Sequence, residues 1–364
     1  MKKRLPNSWK CAILLLFIGV LQLLSLSPAW VEKYYTYGFY PHISGLLRIL
    51  FGWIPFSMGD LFYFAAGLWF LLKVIKAIRL LFTKKLRGYW SKQLFFKYVN
   101  IFLIVYIVFE LLWGLNYSRQ GIAEQLGLEV KEQPKEDLYK LAQILQKRLC
   151  VYGDQVDSLN RLKLDKNSFL FSGAAHCYSD SLKRTFRYLD YHYASIKSSL
   201  YTPLGQFIGF TGYYNPFSGE AQLKTDIPIF LRPFTMCHEL AHQLGYAKEN
   251  EANFVGFLAA RTSANPEFRY SAYYEMYLYT LRELIYTEPY KAIGLRLTAH
   301  PQVKKDYRAY IDYLRRTSNV VEPFMNKFYD QYLKLNNQPH GTRTYDEVVT
   351  WLIAYMNKYG DKAI

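Results

Sequence analysis

The sequence predicts a mainly α protein: three transmembrane helices followed by a mostly helical extracytoplasmic domain with a small β-hairpin or edge strand. Three observations predict it. Apolar runs long enough to cross a bilayer stand in the first third of the 364 residues. The basic excess is concentrated in that same third. From residue 117 onward apolar residues recur at helical spacing, broken once by a segment punctuated with Gly, Asn and Pro.

The first run, CAILLLFIGVLQLLSLSPAW (11–30), follows MKKRLPNSWK, which holds four basic residues and no acid. It reads as a span, or as a signal peptide cut near Ser27-Pro28-Ala29; either puts the next loop outside. The Tyr- and Trp-rich stretch that follows reads as interfacial, with a short amphipathic or re-entrant helix at 44–56. Second and third spans are expected at about 59–80 and 96–115.

Between them stand Lys73, Lys76, Arg79, Lys84, Lys85, Arg87, Lys92 and Lys97 with no acid, which places this loop and the N-terminus in the cytoplasm. Three spans that start inside end outside, so a membrane domain (1–116) would carry an extracytoplasmic domain (117–364). Residues 1–116 hold 14 Lys and Arg against Glu32, Asp60 and Glu110, leaving 31 basic and 26 acidic residues for the remainder. That distribution fits a lipid bilayer as partner and argues against nucleic acid, since the second part has no basic stripe. Glu110 is expected to sit hydrated at the outer end of the third span.

The chain changes character from Tyr117, and residues 121–133 read as a polar linker, with an amphipathic helix beginning near Pro134. Further helices are expected at 178–200, 265–298, 303–335 and 344–358, and a hairpin or irregular strand at 209–225. No Cys-x-x-Cys pair occurs among the four cysteines. Cys150 and Cys177 suit either a disulfide or two small buried side chains.

The chemistry-bearing stretch is His238-Glu239-Leu240-Ala241-His242. On a helix, residues i and i+4 share a face, so both imidazoles can reach one Zn²⁺. Catalytic zinc takes three protein ligands and keeps one open position. Glu239, beside His238, can serve as general base toward a water in that position without ligating the metal. Pro233 stands before the helix and Gly245 marks its end. Lys248 occupies the place where a third histidine would stand, which leaves Glu249 or Glu251. Glu249 is preferred, because Asn253 lies four residues on and can orient a ligating histidine. Tyr213 or Tyr214 in the preceding hairpin could donate to an oxyanion, or merely pack on the helix. His176, His192, His300 and His340 stand alone and read as structural or exposed.

The stretches LLWGLNYSR (111–119), YYNPFSGEAQL (213–223), PFTMCHELAHQLGYAKENEANF (233–254) and YLKLNNQPHGTRTYDEVV (332–349) resemble a bacterial membrane family classed as a domain of unknown function. That family has N-terminal spans and a C-terminal HExxH domain. Its central block, HExxH then E-x-E-A-N, matches His238, Glu239, His242, Glu249, Glu251 and Asn253. More distantly the block resembles zinc peptidases with E-x-x-A-D after the HExxH, where Asn253 replaces the aspartate. The resemblance implies a zincin-like metallopeptidase fold in a multi-pass protein of the bacterial inner membrane, its catalytic domain periplasmic. The expected function is zinc-dependent hydrolysis of peptide bonds in envelope or membrane-proximal proteins. A non-catalytic metal-binding scaffold and a zinc amidase acting on cell-wall peptides are the alternatives.

Overall fold

The computed structural model describes residues 6–84, 91–130, 134–182, 189, 191–345 and 347–364. It is mainly helical, and three of its helices are long and apolar enough to cross a membrane: Asn7–Ser25, Met58–Phe82 and Lys92–Leu112. Their side chains are largely exposed, as befits a lipid-facing surface. Lys85 and Arg87 of the expected basic loop lie outside the described residues.

Spans one and three run in the same direction. Asn7 Nδ2 donates to Gln93 O at 3.1 Å near their starts, and Gln22 Nε2 donates to Tyr106 Oη at 2.7 Å near their ends. At about 1.5 Å per residue, Met58 and Phe82 are about 36 Å apart along the second span. Asn7, Phe82 and Lys92 therefore share one end of the bundle, and Ser25, Met58 and Leu112 share the other. At that second end the spans meet the C-terminal part of the chain. Glu220 accepts from the Met58 and Gly59 N–H groups at 3.1 and 2.7 Å, capping the start of the second span with a carboxylate. The Ser57 hydroxyl accepts from Asp60 N at 2.9 Å at the same helix start.

The first span stops at Ser25 rather than near residue 30, because the residue before Pro28 is driven out of the helical region. The chain then turns through Pro28–Trp30 and a π-helix, Val31–Phe39, into the helix Tyr40–Gly52, where an interfacial helix at 44–56 was expected. This segment lies over the end of the third span. Tyr35 Oη donates to Glu110 O at 3.2 Å, and Glu110 is buried rather than hydrated.

The stretch that follows the third span is also folded. Residues Gly114–Ser118 form a 3-10 turn and Ile122–Gln125 a short helix, with Asn116, Tyr117, Arg119 and Ile122 buried. Arg119 makes a two-pronged ion pair with Glu32, both contacts 2.9 Å, and its guanidinium lies over the Tyr246 ring. The seam expected at 116/117 is thus crossed by a buried charge pair.

The amphipathic helix expected near Pro134 runs Lys135–Gly153 and packs along Pro266–Thr287, forming one wall of the larger apolar core. Two expected long helices break at prolines and turns, giving Pro266–Thr287 with Pro289–Thr298, and Pro301–Thr317 with Glu322–Leu335. The last expected helix begins at Val348 after a 3-10 turn. The helix expected at 178–200 is corrected in its second half. Ile196–Ser198 is a strand, β1, whereas 183–188 and 190 lie outside the described residues. The hairpin appears as β2, Gly212–Asn215, and β3, Glu220–Leu223. The sheet order is β1-β3-β2, with β1 parallel and β2 antiparallel to β3, so β2 is an edge. All four cysteines are free thiols, so Cys150 and Cys177 are not bridged.

Candidate functional site

The HExxH stretch lies on a helix, Arg232–Gln243, buried throughout its length from Pro233. Pro233 occupies the first turn, where its missing N–H costs nothing. The helix ends in a Schellman turn. Tyr246 N donates to Ala241 O at 3.1 Å and Gly245 N to His242 O at 2.9 Å, with Gly245 at φ +89°. Glycine is needed there, since a side chain rarely adopts that φ. The turn brings the Tyr246 carbonyl back to His242, whose Nδ1 donates to it at 2.7 Å. A carbonyl can only accept, so this bond puts the proton on Nδ1 and turns the Nε2 lone pair inward.

The last carbonyls of this helix find partners outside the domain expected to hold the site: Trp113 Nε1 donates to His242 O at 3.2 Å and Tyr40 Oη to Gln243 O at 2.9 Å. Arg119 Nη1 donates to the Gly245 carbonyl just past the helix at 3.1 Å. Trp113 directly follows the third span, and Tyr40 starts the helix after the first. The membrane-proximal segments therefore cap the HExxH helix.

Glu249 opens the next helix, Glu249–Arg261, which packs against the HExxH helix. Residues 249, 253 and 256 fall on one face of it. Gly256 is the point of closest approach: a Cβ there would lie 2.9 Å from His238 N and 3.0 Å from its Cα. This contact lets Asn253 Oδ1 accept from His238 Nδ1 at 2.8 Å. Glu249 Oε2 reaches 3.2 Å from His238 Nε2 and 3.4 Å from His242 Nε2. His238, His242 and Glu249 thus offer three buried ligand-type atoms within 4.8 Å of one another. Glu251 points elsewhere. Its carboxylate abuts Gly121 and lies 3.7 Å from Lys248 Nζ, so of the two candidate glutamates the fold brings Glu249 to the histidines.

Glu239 is buried against β2. A Cβ at Gly212 would lie 2.7 Å from Glu239 Oε1, so only glycine allows the strand this close. Among the described residues Glu239 Oε2 is buried with no hydrogen-bond partner, whereas Glu249 Oε2 lies between the two imidazole nitrogens. Burial pushes the Glu239 carboxyl up to about 8, with His242 opposing and Glu249 reinforcing the shift. Burial alone would raise Glu249 too, but the two imidazoles reverse it and hold that carboxyl well below its usual range. His242 is driven down by burial and up by Glu249, and ends at about 9; for His238 burial prevails and the shift is downward.

The two tyrosines expected at an oxyanion line the cavity, but their hydroxyls are engaged elsewhere. The Tyr213 hydroxyl donates to Asp60 at the start of the second span. That of Tyr214 lies 3.4 Å from Tyr40 Oη, and its ring packs on Trp113. Sequence reasoning missed Tyr329, whose hydroxyl donates to Glu249 Oε1 at 2.8 Å and leaves Oε2 to the imidazoles. It also missed Trp113 and Tyr40. These three lie 80 or more residues from the groups they touch, beyond any local spacing rule.

The cluster faces a cavity of about 380 Å³ lined also by Tyr63, Trp113, Tyr117 and Tyr332. A second, of about 590 Å³, adjoins it and shares Gly212, Tyr213, His238, Glu239 and Tyr329. In β2 the Asn215 and Thr211 carbonyls point toward β3, so by alternation the Gly212 and Tyr214 backbone groups point outward. Among the described residues no hydrogen bond from another element reaches those outward groups.

Neither the curated proteins nor the solved structures contain a match to this chain. A family described as "Protein of unknown function (DUF3810)" matches residues 35–353, from the π-helix after the first span to the last long helix, and the chain therefore belongs to the DUF3810 family.

Proposed function

We propose that the protein is a membrane-anchored zinc metallopeptidase with a zincin-like site, cutting peptide bonds of envelope or other membrane-proximal proteins on the outer side of a bacterial inner membrane. The observation that carries this reading is the spacing of the candidate ligand atoms, 3.2 and 3.4 Å from Glu249 Oε2 to the two Nε2 atoms. Tetrahedral bonds of about 2.0–2.1 Å put neighbouring ligand atoms about 3.3 Å apart. Two imidazoles and one carboxylate, with room for a fourth group, suit catalytic zinc, and a buried Glu249 Oε2 drawn between both Nε2 atoms fits a cation at that point.

In this reading His238, His242 and Glu249 hold the metal, and each is itself held. Asn253 and the Tyr246 carbonyl fix the imidazole orientations, and Tyr329 fixes the carboxylate. Bound zinc supplies Lewis acidity that stabilises charge developing on the attacked carbonyl. Glu239 takes the proton from the attacking water and delivers it to the leaving amine. Its upward shift reflects burial beside Glu249, and a nearby dication favours the ionised form. The outward Gly212 and Tyr214 backbone groups receive an extended substrate as an added strand beside Glu239.

The test uses the full chain, because Trp113 and Tyr40 belong to the site's support. Purified wild type is expected to carry one zinc and His238→Ala to lose it. Glu239→Gln should keep the zinc and lower turnover by about 10²–10⁴. If envelope proteomes of wild-type and Glu239→Gln cells show the same cleaved peptides, the peptidase reading fails. For orientation, a periplasm-dependent reporter fused after Ile364 should be active.

A further inference from the structure

The two cavities that meet at Glu239 have different walls. The smaller is built partly from the spans: Tyr63 lies in the second, Phe109 in the third, and Trp113 follows the third directly. Tyr63 is five residues into its helix and Phe109 three residues from the end of its own. At about 1.5 Å per residue they lie about 7 Å and about 4 Å inside the span ends. Tyr63 is 39% exposed, and its ring packs edge-on against Phe217. Among the described residues the larger cavity has no lining residue before Gly205. Both cavities are mostly apolar and rich in aromatic rings; they differ in that the smaller is walled partly by the span ends and the larger lies away from the spans. β2, with its outward backbone groups, borders both sides.

We infer that the substrate is a membrane-anchored polypeptide, bound in extended form with its anchored flank in the span-lined cavity and its extramembrane flank in the larger one. The inference rests on the peptidase reading and adds where along the substrate the cut falls. A strand edge beside Glu239 favours a polypeptide over a lipid, because only an extended backbone uses the alternating donors and acceptors of β2. The aromatic residues at the span ends match the interfacial belt where an anchored chain leaves the hydrocarbon. A roughly spherical 380 Å³ cavity is about 9 Å across. An extended chain crosses that in about three residues. The cut should fall about three residues from the interfacial end of the anchor.

The experiment uses full-length, zinc-loaded protein in phosphatidylethanolamine–phosphatidylglycerol vesicles. The probe is a degenerate peptide library joined to an apolar anchor either directly or through a 30-residue Gly/Ser spacer, read by mass spectrometry. Both forms are held at the membrane, so colocalisation alone does not separate them. One arm anchors through a transmembrane segment, a second through a palmitoyl chain, and a third library is left unanchored.

The directly joined library should be cut about ten-fold faster than the spaced one, with cuts clustered near the anchor. Tyr63→Ala and Phe109→Ala should each shrink that ratio toward one, with retained zinc reporting that the variant is folded. Equal cutting of direct and spaced libraries, with no clustering, would overturn this inference and leave the peptidase standing. An undiminished ratio in both variants would also overturn it. No cutting of any library by zinc-loaded protein would overturn both, as would release of the acyl chain in place of peptide cleavage.

Discussion

Gly256 offers a sharp test of how the site is assembled, because two effects of Gly256→Ala oppose each other. In an exposed helix interior, replacing glycine by alanine stabilises by about 0.5–1 kcal/mol. At Gly256, however, the new methyl would sit 2.9 Å from His238 N and 3.0 Å from its Cα, both backbone atoms that cannot swing aside. Relief to about 3.4 Å requires the two site helices to separate by about 0.5 Å, and overpacking of this kind costs about 1–3 kcal/mol. The contact should therefore outweigh the propensity gain, with a net loss of up to about 2 kcal/mol. The same shift draws Glu249 and Asn253 away from His238.

Gly294 is the control. It lies in the helix Pro289–Thr298, is exposed, and has nothing within 4 Å of an added Cβ. Thermal unfolding of the detergent-solubilised full chain should show Gly294→Ala with a raised midpoint and Gly256→Ala with a lowered one. If Gly256→Ala raises the midpoint as Gly294→Ala does, the helices are not in the contact described and the argument for the geometry of the cluster fails.

Other outcomes follow from the same structure. Asn253→Ala leaves the His238 Nδ1–H without its acceptor and should weaken zinc about 10–100-fold in a competition titration; unchanged affinity would remove Asn253 from the site. Trp113→Phe removes the donor to His242 O and part of a buried ring, and should cost at least about 1–3 kcal/mol of stability, measured by denaturant unfolding; no loss would contradict the buried contact. Glu32→Gln breaks the buried pair with Arg119 and should destabilise by about 3–5 kcal/mol. Zinc must displace the proton that Glu249 holds on His242 up to about 9, so zinc affinity should climb as pH rises from about 6 to about 9. A flat profile over that range contradicts a ligand role for His242.

The parts of this architecture visible in the sequence were those set by short-range pattern. The apolar runs, the acid-free basic loop, the i,i+4 histidines and the glycine that stops their helix are all local signals. So was the pairing of Glu249 with Asn253, four residues apart on the face that meets the HExxH helix. What stayed hidden depends on distant chain segments. Residues 31–52 and 114–125 carry enough Tyr, Gly and polar residues to read as interface and linker. Their order comes from burying Arg119 with Glu32 and from capping the last carbonyls of the HExxH helix. β1 is three residues long, too short for a period-two pattern to stand out. Tyr213 and Tyr214 suited an oxyanion role by position, but Asp60 and Tyr40 come from segments whose approach the sequence did not announce.

Metal stoichiometry of the full-length protein decides whether the buried cluster is a zinc site. One zinc per chain is expected in wild type and in Glu251→Gln, and none in His238→Ala or Glu249→Gln, by elemental analysis after removal of loosely bound metal. Zinc absent from wild type, or retained in Glu249→Gln and lost in Glu251→Gln, would contradict that assignment.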